Sequence, residues 1–358
     1  AARSNFRLYN PYSSSTPAGR QQFPGYVIPS NLISPIAQLV NGFYPLPNTT
    51  QDLNSNGLAD DFTTPREVQV DRDNYDLKIS LQRTSAHALW GKLAVLDAEV
   101  VDNFQLGFDE GSIGDTRVYV LGAGHTWTLS PTMLLDGNIG ANIQNQQVTG
   151  PDFGQNIGLD VFGIPGTNGT DIRQSGMPNF QNGYAIGTTP SWMPLFRKER
   201  SYTFSSAVTK VLPRHELRMG VDVVRHELNH IQAEFGPFGV RGGFTFSGNV
   251  TGAPGYVALG WNSYAAFLMG LPSFFSKDVQ TEEMTGREWQ SALYLRDRWN
   301  VNDRLTLSLG LRMEHYPLMK RADRGLERLD YDTYEVLIGG RGGVPEDVGI
   351  NIKTLYLA

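Results

Sequence analysis

The chain has no cysteine, so neither disulfides nor thiolate metal sites are open to it. Small secreted domains usually rely on such staples, whereas a closed barrel needs none. It has no run of about 20 apolar residues, which excludes a transmembrane helix. Cations are in the minority: 30 Lys and Arg stand against 36 Asp and Glu, for a net charge of -6. Without a basic stripe, nucleic-acid binding gets no support. The opening AARSNFRLYN has no charged segment followed by an apolar core, so no signal peptide is read there. The expectation is a chain already processed, or one cut from a longer protein. No Gly-rich phosphate loop and no GxSxG elbow occurs either, and the chain is expected not to be an enzyme.

What is present is alternation. In REWQSALYLRDRWNVNDRLTLSLGLRMEHYP, residues 287–317, Leu305, Leu307, Leu309, Leu311 and Met313 alternate with Thr306, Ser308, Gly310, Arg312 and Glu314. A period of two over that length means a strand with one apolar and one polar face. Trp299 stands beside the polar turn and Tyr316 at the far end. Aromatics flanking an apolar band, opposite a wet face, are the marks of a transmembrane β-hairpin. A hydrophobic content of 40% and a mean hydropathy of -0.30 argue against spanning helices and not against a barrel, where every second residue is free to be polar.

The same period recurs upstream. Tyr75, Leu77, Ile79 and Leu81 alternate with polar partners, as do Met133, Leu135, Ile139, Ala141 and Ile143, and Leu217, Met219, Val221 and Val223. Strands are expected near 66–83, 87–101, 116–129, 132–147, 200–212, 216–231, 240–250, 272–283, 288–300 and 304–317. Residues 261–271 read as a short helix, capped near Asn262 or Ser263 and ended by Gly270, forming one turn on the short-turn side. Tight connections at Thr84-Ser85, Ser130-Pro131, Pro213-Arg214-His215 and Val301-Asn302-Asp303 contrast with long ones at 102–115, 148–199 and after 317. Trp127 and Trp299, each just before a tight turn, mark one interface. The fold class is therefore all-β: part of an antiparallel transmembrane β-barrel of about ten up-and-down strands, with short periplasmic turns and long extracellular loops. Three regions follow: 1–65, a long extracellular loop region with a helix near 34–43; 66–317, the partial barrel; and 318–358, an extracellular loop leading to a missing strand. In the first, Ser34 is the N-cap and Pro35 the first helical residue, with Ile36, Leu39, Val40 and Phe43 on one face.

The segments RDRWNVNDRLTLSLGLRMEHYP, RLYNP (7–11), IPSNLISPIAQLVNGFYPLPN (28–48), HELRMGVDVVRHE (215–227) and YAAFLMGLP (264–272) together resemble the barrel of TonB-dependent outer-membrane transporters of the Oar-like group. The resemblance covers most of the chain in the family's order. It implies the bacterial outer membrane and uptake of a siderophore, carbohydrate or peptide. The implied partners are outer-membrane lipid, the protein's own plug domain and the TonB complex. Relatives carry a plug and TonB box upstream and close with further strands, up to roughly 22 in all. The expectation is thus an internal barrel fragment with two unpaired edges.

Several candidate sites stand beside this reading. The aromatics Tyr44, Phe153, Phe162, Phe180 and Trp192 are candidates to stack on a solute, against the plainer role of packing the loops. Arg296 and Arg298, opposite Leu293, Leu295 and Trp299, are candidates to line the lumen. Asp52, Asn54, Asn56 and Asp60, around Gly57, resemble a calcium loop without its closing bidentate Glu. No other cofactor is expected. HELNH, 226–230, matches a zinc-protease pattern that requires a helix. On a strand His226 and His230 would stand about 13 Å apart, too far for one metal, at roughly 3.3 Å per residue. The alternative to transport is a surface adhesion or matrix-binding β protein, with zinc metalloprotease a distant third.

Overall fold

The computed structural model describes residues 7–51, 62–105, 107–233, 236–253, 260–280 and 282–357. In chain order the elements are α1 (Pro35–Asn41), β1 (Val68–Thr84), β2 (His87–Asp102), β3 (Ser112–Ser130), β4 (Met133–Thr149), β5 (Asn179–Gln181), β6 (Leu195–Val211), β7 (His215–Gln232), β8 (Gly243–Thr245), α2 (Gly260–Leu268), β9 (Phe274–Ser276), β10 (Met284–Asn302), β11 (Leu305–His315), β12 (Glu327–Leu329), β13 (Val336–Ile338) and β14 (Leu355–Leu357). One antiparallel sheet runs β1-β2-β3-β4-β6-β7-β10-β11-β14 and is not closed. Among the described residues no helix is long and apolar enough to cross a membrane.

Parity along the register gives the sheet two unlike faces. One carries Leu77, Ile79, Leu93, Leu121, Ile139, Phe204, Met219, Leu293, Leu295, Leu309 and Leu311, all exposed. The other carries the Asp, Asn, Arg, Ser and Gly of the alternate positions. Among the described residues, the buried apolar side chains of the long strands are only Leu195, Ala207 and Ala292. The sheet therefore does not bury its apolar face against protein.

The tight turns, at 85–86, 131–132, 212–214 and 303–304, all lie at one end of the sheet. All the long connections lie at the other. Two expected barrel strands are not there. β7 pairs directly with β10, from His230 opposite Met284 to His215 opposite Trp299, which leaves no slot for 240–250 or 272–283. Gly239 at φ 63° and Gly242 at φ 82° break extension in the first of these, which forms a single turn of 3-10 helix before β8. β8 instead joins β5 in parallel and β9 in antiparallel, as a small separate sheet.

The helix at 260–268 also sits among the long connections, not on the short-turn side. Its end is as the sequence suggests: Gly270 at φ 67° donates to Phe267 O (2.8 Å) and Leu271 donates to Ala266 O (3.0 Å), closing the helix through a left-handed residue. Asn262 lies inside the helix instead of capping it. Its Nδ2 donates to Arg7 O at 2.9 Å and ties the chain's first segment to this helix. In α1, Ser34 Oγ accepts from Ala37 N–H at 3.4 Å, and Ala37 and Val40 are buried. Leu39, expected on the packed face, is 49% exposed because α1 meets its neighbours through Ala37 and Val40.

The molecule's apolar core lies in the long connections. Ala37 and Val40 of α1, Ile157, Phe162, Met177, Phe180, Ile186, Phe246, and Ala266 and Phe267 of α2 form one cluster. Leu8, Phe23, Ala265 and Met269 form a second beside it. The region after β11 is held at the same end through Arg287, which exchanges backbone hydrogen bonds with Lys320. It then returns as β14, which pairs with the far end of β11.

Candidate functional site

The polar face of the sheet is laced by charge pairs that cross strands. Arg218 of β7 reaches over β6 to Asp136 of β4 with two 3.0 Å bonds and also donates to Thr209 Oγ1 at 3.1 Å. Arg312 of β11 donates to Asp222 at 3.0 Å and to Glu314 at 2.6 Å, while its guanidinium lies 5.6 Å from the Tyr294 ring. Arg296 donates to Glu216 at 3.2 Å, and Lys92 lies 3.4 Å from Asp76. All these groups keep solvent contact, so each pair contributes at most about 1 kcal/mol. Their consequence is a wetted, charged wall. Gly124 and Gly220 leave room on this face for the rings of Trp90 and Tyr294, which lie across them.

Arg296 and Arg298 both lie on this polar face, opposite Leu293 and Leu295. Among the described residues Arg298 has no hydrogen-bond or ion-pair partner. HELNH lies within β7, so Glu227 points to the face opposite His226 and His230. His226 Nδ1 lies 2.9 Å from Ser201 Oγ. The helix that zinc-protease chemistry requires is absent from this segment. No three His, Cys, Asp or Glu residues converge on a metal position among the described residues. The calcium-loop candidates Asp52, Asn54, Asn56 and Asp60 lie outside the described residues.

The aromatic candidates divide. Phe162 and Phe180 are 3% and 2% exposed, and Phe180 stacks at 5.4 Å on Phe244. They pack the loop core and offer no face to a solute, a correction that follows from the apolar cluster closing around them. Tyr44 is half-buried, and its hydroxyl is bound to the fully buried Asn182, with Nδ2 donating to it at 2.9 Å. Burial pushes the Tyr44 hydroxyl up to about 12. Phe153 is half-buried 6.0 Å from Phe196, and Trp192 is half-buried as well.

Charged groups inside the loop cluster were not singled out by sequence, since no local pattern pairs them. The Asp152 carboxylate accepts from Met177 N–H at 2.5 Å, and burial raises it above the ordinary carboxylate range. Arg241, equally buried, donates to the carbonyls of Thr189 and Pro190, and burial lowers it to about 10. Lys277 donates to Asn168 O and, at 2.8 Å, to Gln174 Oε1; burial lowers it too. The Arg241 and Lys277 contacts tie residues 168–190 to 241–277.

On the apolar face, aromatics mark two levels. Near the tight turns His87 stacks on Trp127 at 5.0 Å and His215 on Trp299 at 5.6 Å. Toward the long connections the markers are Tyr202 and Trp289, with Arg225 between them in register. Tyr316 lies beyond β11, out of step with its apolar positions, so Trp289 takes the marking role expected of it. Trp289 and Trp299 are separated by roughly 33 Å of strand at about 3.3 Å per residue. At a tilt of about 40° that is about 25 Å of height, the thickness of an outer-membrane apolar band.

The family model for an outer membrane beta barrel domain matches residues 1–356. No curated protein matches the sequence. Among solved structures the chain is similar to the outer membrane transporter YddB from Escherichia coli, at 10% identity and TM-score 0.42, over 70% of this chain and 28% of that one. It is also similar to the copper transporter OprC, at 12% identity and TM-score 0.38, over 76% of this chain and 32% of that one. The chain thus spans about a third of their length or less. With the family model covering nearly all of it, the chain belongs to the outer membrane β-barrel domain family and resides in the outer membrane.

Proposed function

We propose that this outer-membrane sheet is one part of the barrel wall of a TonB-dependent transporter of the Oar-like group. Its polar face would line a plugged passage and its loop cluster would meet the solute first. The observation that carries the reading is the contrast between the faces: exposed leucines on one, and on the other the chain of charges Asp136, Arg218, Glu216, Arg296, Asp222 and Arg312. A wall of that kind suits lipid outside and a hydrated passage inside. The open sheet supports the partial-barrel reading, because lipid supplies no partner for unpaired backbone groups along β1. Further strands would close the barrel, and a plug would contact Arg296 and Arg298. Solute contact falls to Tyr44, Phe153 and Trp192, which keep accessible surface in the loops.

The test is uptake by the full-length protein in a Gram-negative host, using labelled siderophores, oligosaccharides and peptides. Energy-dependent uptake of one class, abolished by an uncoupler and by loss of TonB, is the expected result. Binding of a solute or matrix protein at the surface with no energy-dependent uptake would refute transport and favour adhesion. Passage that persists unchanged after uncoupling would instead identify an open pore.

A further inference from the structure

The loop cluster carries a second group of aromatics, Tyr184, Trp261 and Tyr264, joined to Tyr44 through Asn182 and to α1 through Asn41. Gly183 turns the chain at φ 101°, and a Cβ there would stand 2.9 Å from Gly260 O, so the turn lies directly against the start of α2. This places the Tyr184 ring 5.9 Å from Trp261 and 5.5 Å from Tyr264, at interplanar angles of 65° and 85°. Rings meeting at such angles do not cover each other face on face. Tyr184 and Trp261 accordingly stay 50% and 40% exposed. Trp261 and Tyr264, three residues apart on α2, share one side of the helix.

Polar groups are fixed beside these rings. The Tyr264 hydroxyl donates to Asn41 Oδ1. Asn182 Nδ2 donates to the Tyr44 hydroxyl at 2.9 Å, while Asn182 Oδ1 accepts from Tyr184 N–H at 3.1 Å. Asn41 is exposed, and its Nδ2 has no hydrogen-bond partner among the described residues. The Tyr264 oxygen and Asn41 Nδ2 thus set an acceptor and donors side by side at the edge of the aromatic surface. The surroundings are uncharged: burial, Asn182 and the neighbouring tyrosines shift the Tyr44 and Tyr264 hydroxyls, with no Lys, Arg, Asp or Glu taking part.

We propose that this surface is a carbohydrate subsite, in which one pyranose of a neutral oligosaccharide lies on Trp261 and Tyr184 and bonds its hydroxyls to Asn41 and Tyr264. The C–H groups on a pyranose face carry slight positive charge and settle on the negative face of an aromatic ring. A sugar hydroxyl both donates and accepts, as the Asn41 and Tyr264 pair requires. A charged siderophore or a peptide terminus would instead draw on a paired charge. Trp and Tyr also supply a rigid contact surface at low entropic cost. This subsite rests on the transporter reading, in which the long connections face the exterior and Tyr44 meets the solute; it narrows the solute to one class.

The test is calorimetric titration of the full-length protein in mild detergent with maltohexaose, cellohexaose, xylohexaose and chitohexaose, beside ferric ferrioxamine B and a tryptic peptide mixture. Binding of at least one hexasaccharide, with no competition from the siderophore or the peptides, is expected. Trp261→Ala should weaken it about tenfold or more, as loss of a central aromatic anchor does. Trp261→Phe keeps a ring face and should lose less, and Asn41→Ala should weaken binding about fivefold through one hydrogen bond. Amide exchange over 157–186 should stay unchanged in all three variants, which separates lost contact from a loosened cluster. Failure of every hexasaccharide to bind would overturn the subsite, as would undiminished binding in both Trp261→Ala and Asn41→Ala. Energy-dependent uptake of another solute class would then leave the transporter reading standing. Hexasaccharide binding that follows these variants without energy-dependent uptake would refute transport and leave the subsite in place.

Discussion

The substitution Leu295→Arg separates a lipid-facing sheet from one bathed in water. Leu295 is 48% exposed, faces Leu311 at 60%, and lies between the Trp289 and Trp299 levels. In water, a charge at so exposed a position costs no more than about 0.5 kcal/mol. At the middle of a bilayer the same Arg costs about 2–4 kcal/mol, a factor of roughly 30 to 1,000 in the folding equilibrium. Two companions sharpen the result. Leu307→Arg, in register with Trp299, should cost only about 0–1 kcal/mol, because the penalty fades at the interface. Ser308→Arg, on the polar face opposite Arg298, should cost no more than about 0.5 kcal/mol. The assay is denaturant unfolding of the full-length protein in vesicles, followed by tryptophan emission and gel mobility without heating. Equal midpoints for Leu295→Arg and Ser308→Arg would refute the assignment of faces.

Other consequences concern the loop cluster. A Cβ at Gly187, where φ is 72°, would collide with the Pro178 carbonyl, so Gly187→Ala should loosen the cluster by about 1–3 kcal/mol. Hydrogen exchange should show faster amides at 157–186 and unchanged ones in β3 and β4. Tyr44→Phe removes the hydroxyl partner of the buried Asn182 and should cost about 1–3 kcal/mol locally, by the same measurement. Spectrophotometric titration, with Tyr44→Phe as the difference reference, should find Tyr44 ionising near pH 12. Because burial raises Asp152 above its unfolded value, its contribution is fully present below the ordinary carboxylate range and is lost as pH rises through the raised value. Amide protection around Met177 should therefore fall with pH across that window, and Asp152→Asn should flatten the profile.

The long strands are legible in sequence because a half-lipid, half-water sheet writes its environment into every second residue. β11 follows that rule from Leu305 to Met313, β10 follows it at Leu293, Leu295 and Trp299 with Asp297 as an exception that pairs with His215 Nδ1 at 2.7 Å, and the turn between them is short and polar. Residues 233–283 are not legible in the same way. GGFTFSGNV carries enough alternation to resemble a strand, but the competing information is nonlocal: β7 and β10 already satisfy each other along their whole length. Strand count depends on that pairing, which no window of sequence contains. The same limit hid His87 and His215. Their tryptophan partners stand out alone, whereas the stacks exist only once register sets the residues side by side.

Burial in this molecule is inverted relative to a water-soluble β protein, and the inversion carries more than the alternation does. The connections, rich in Gly, Pro and Asn, hold nearly all the buried apolar side chains, while the leucine-rich strands leave theirs exposed. A contiguous apolar face of this extent is not tolerated in water. In a bilayer it is the required surface, and only the parts beyond the headgroups need a core of their own. α1, α2 and the small sheet β5-β8-β9 supply that core at the end opposite the tight turns. Phe162 and Phe180 are therefore poor candidates for solute contact for the same reason that Leu295 is a good candidate for lipid contact. Phe162 and Phe180 are spent on folding the loops in water, whereas Tyr44, Phe153 and Trp192 keep part of their surface exposed.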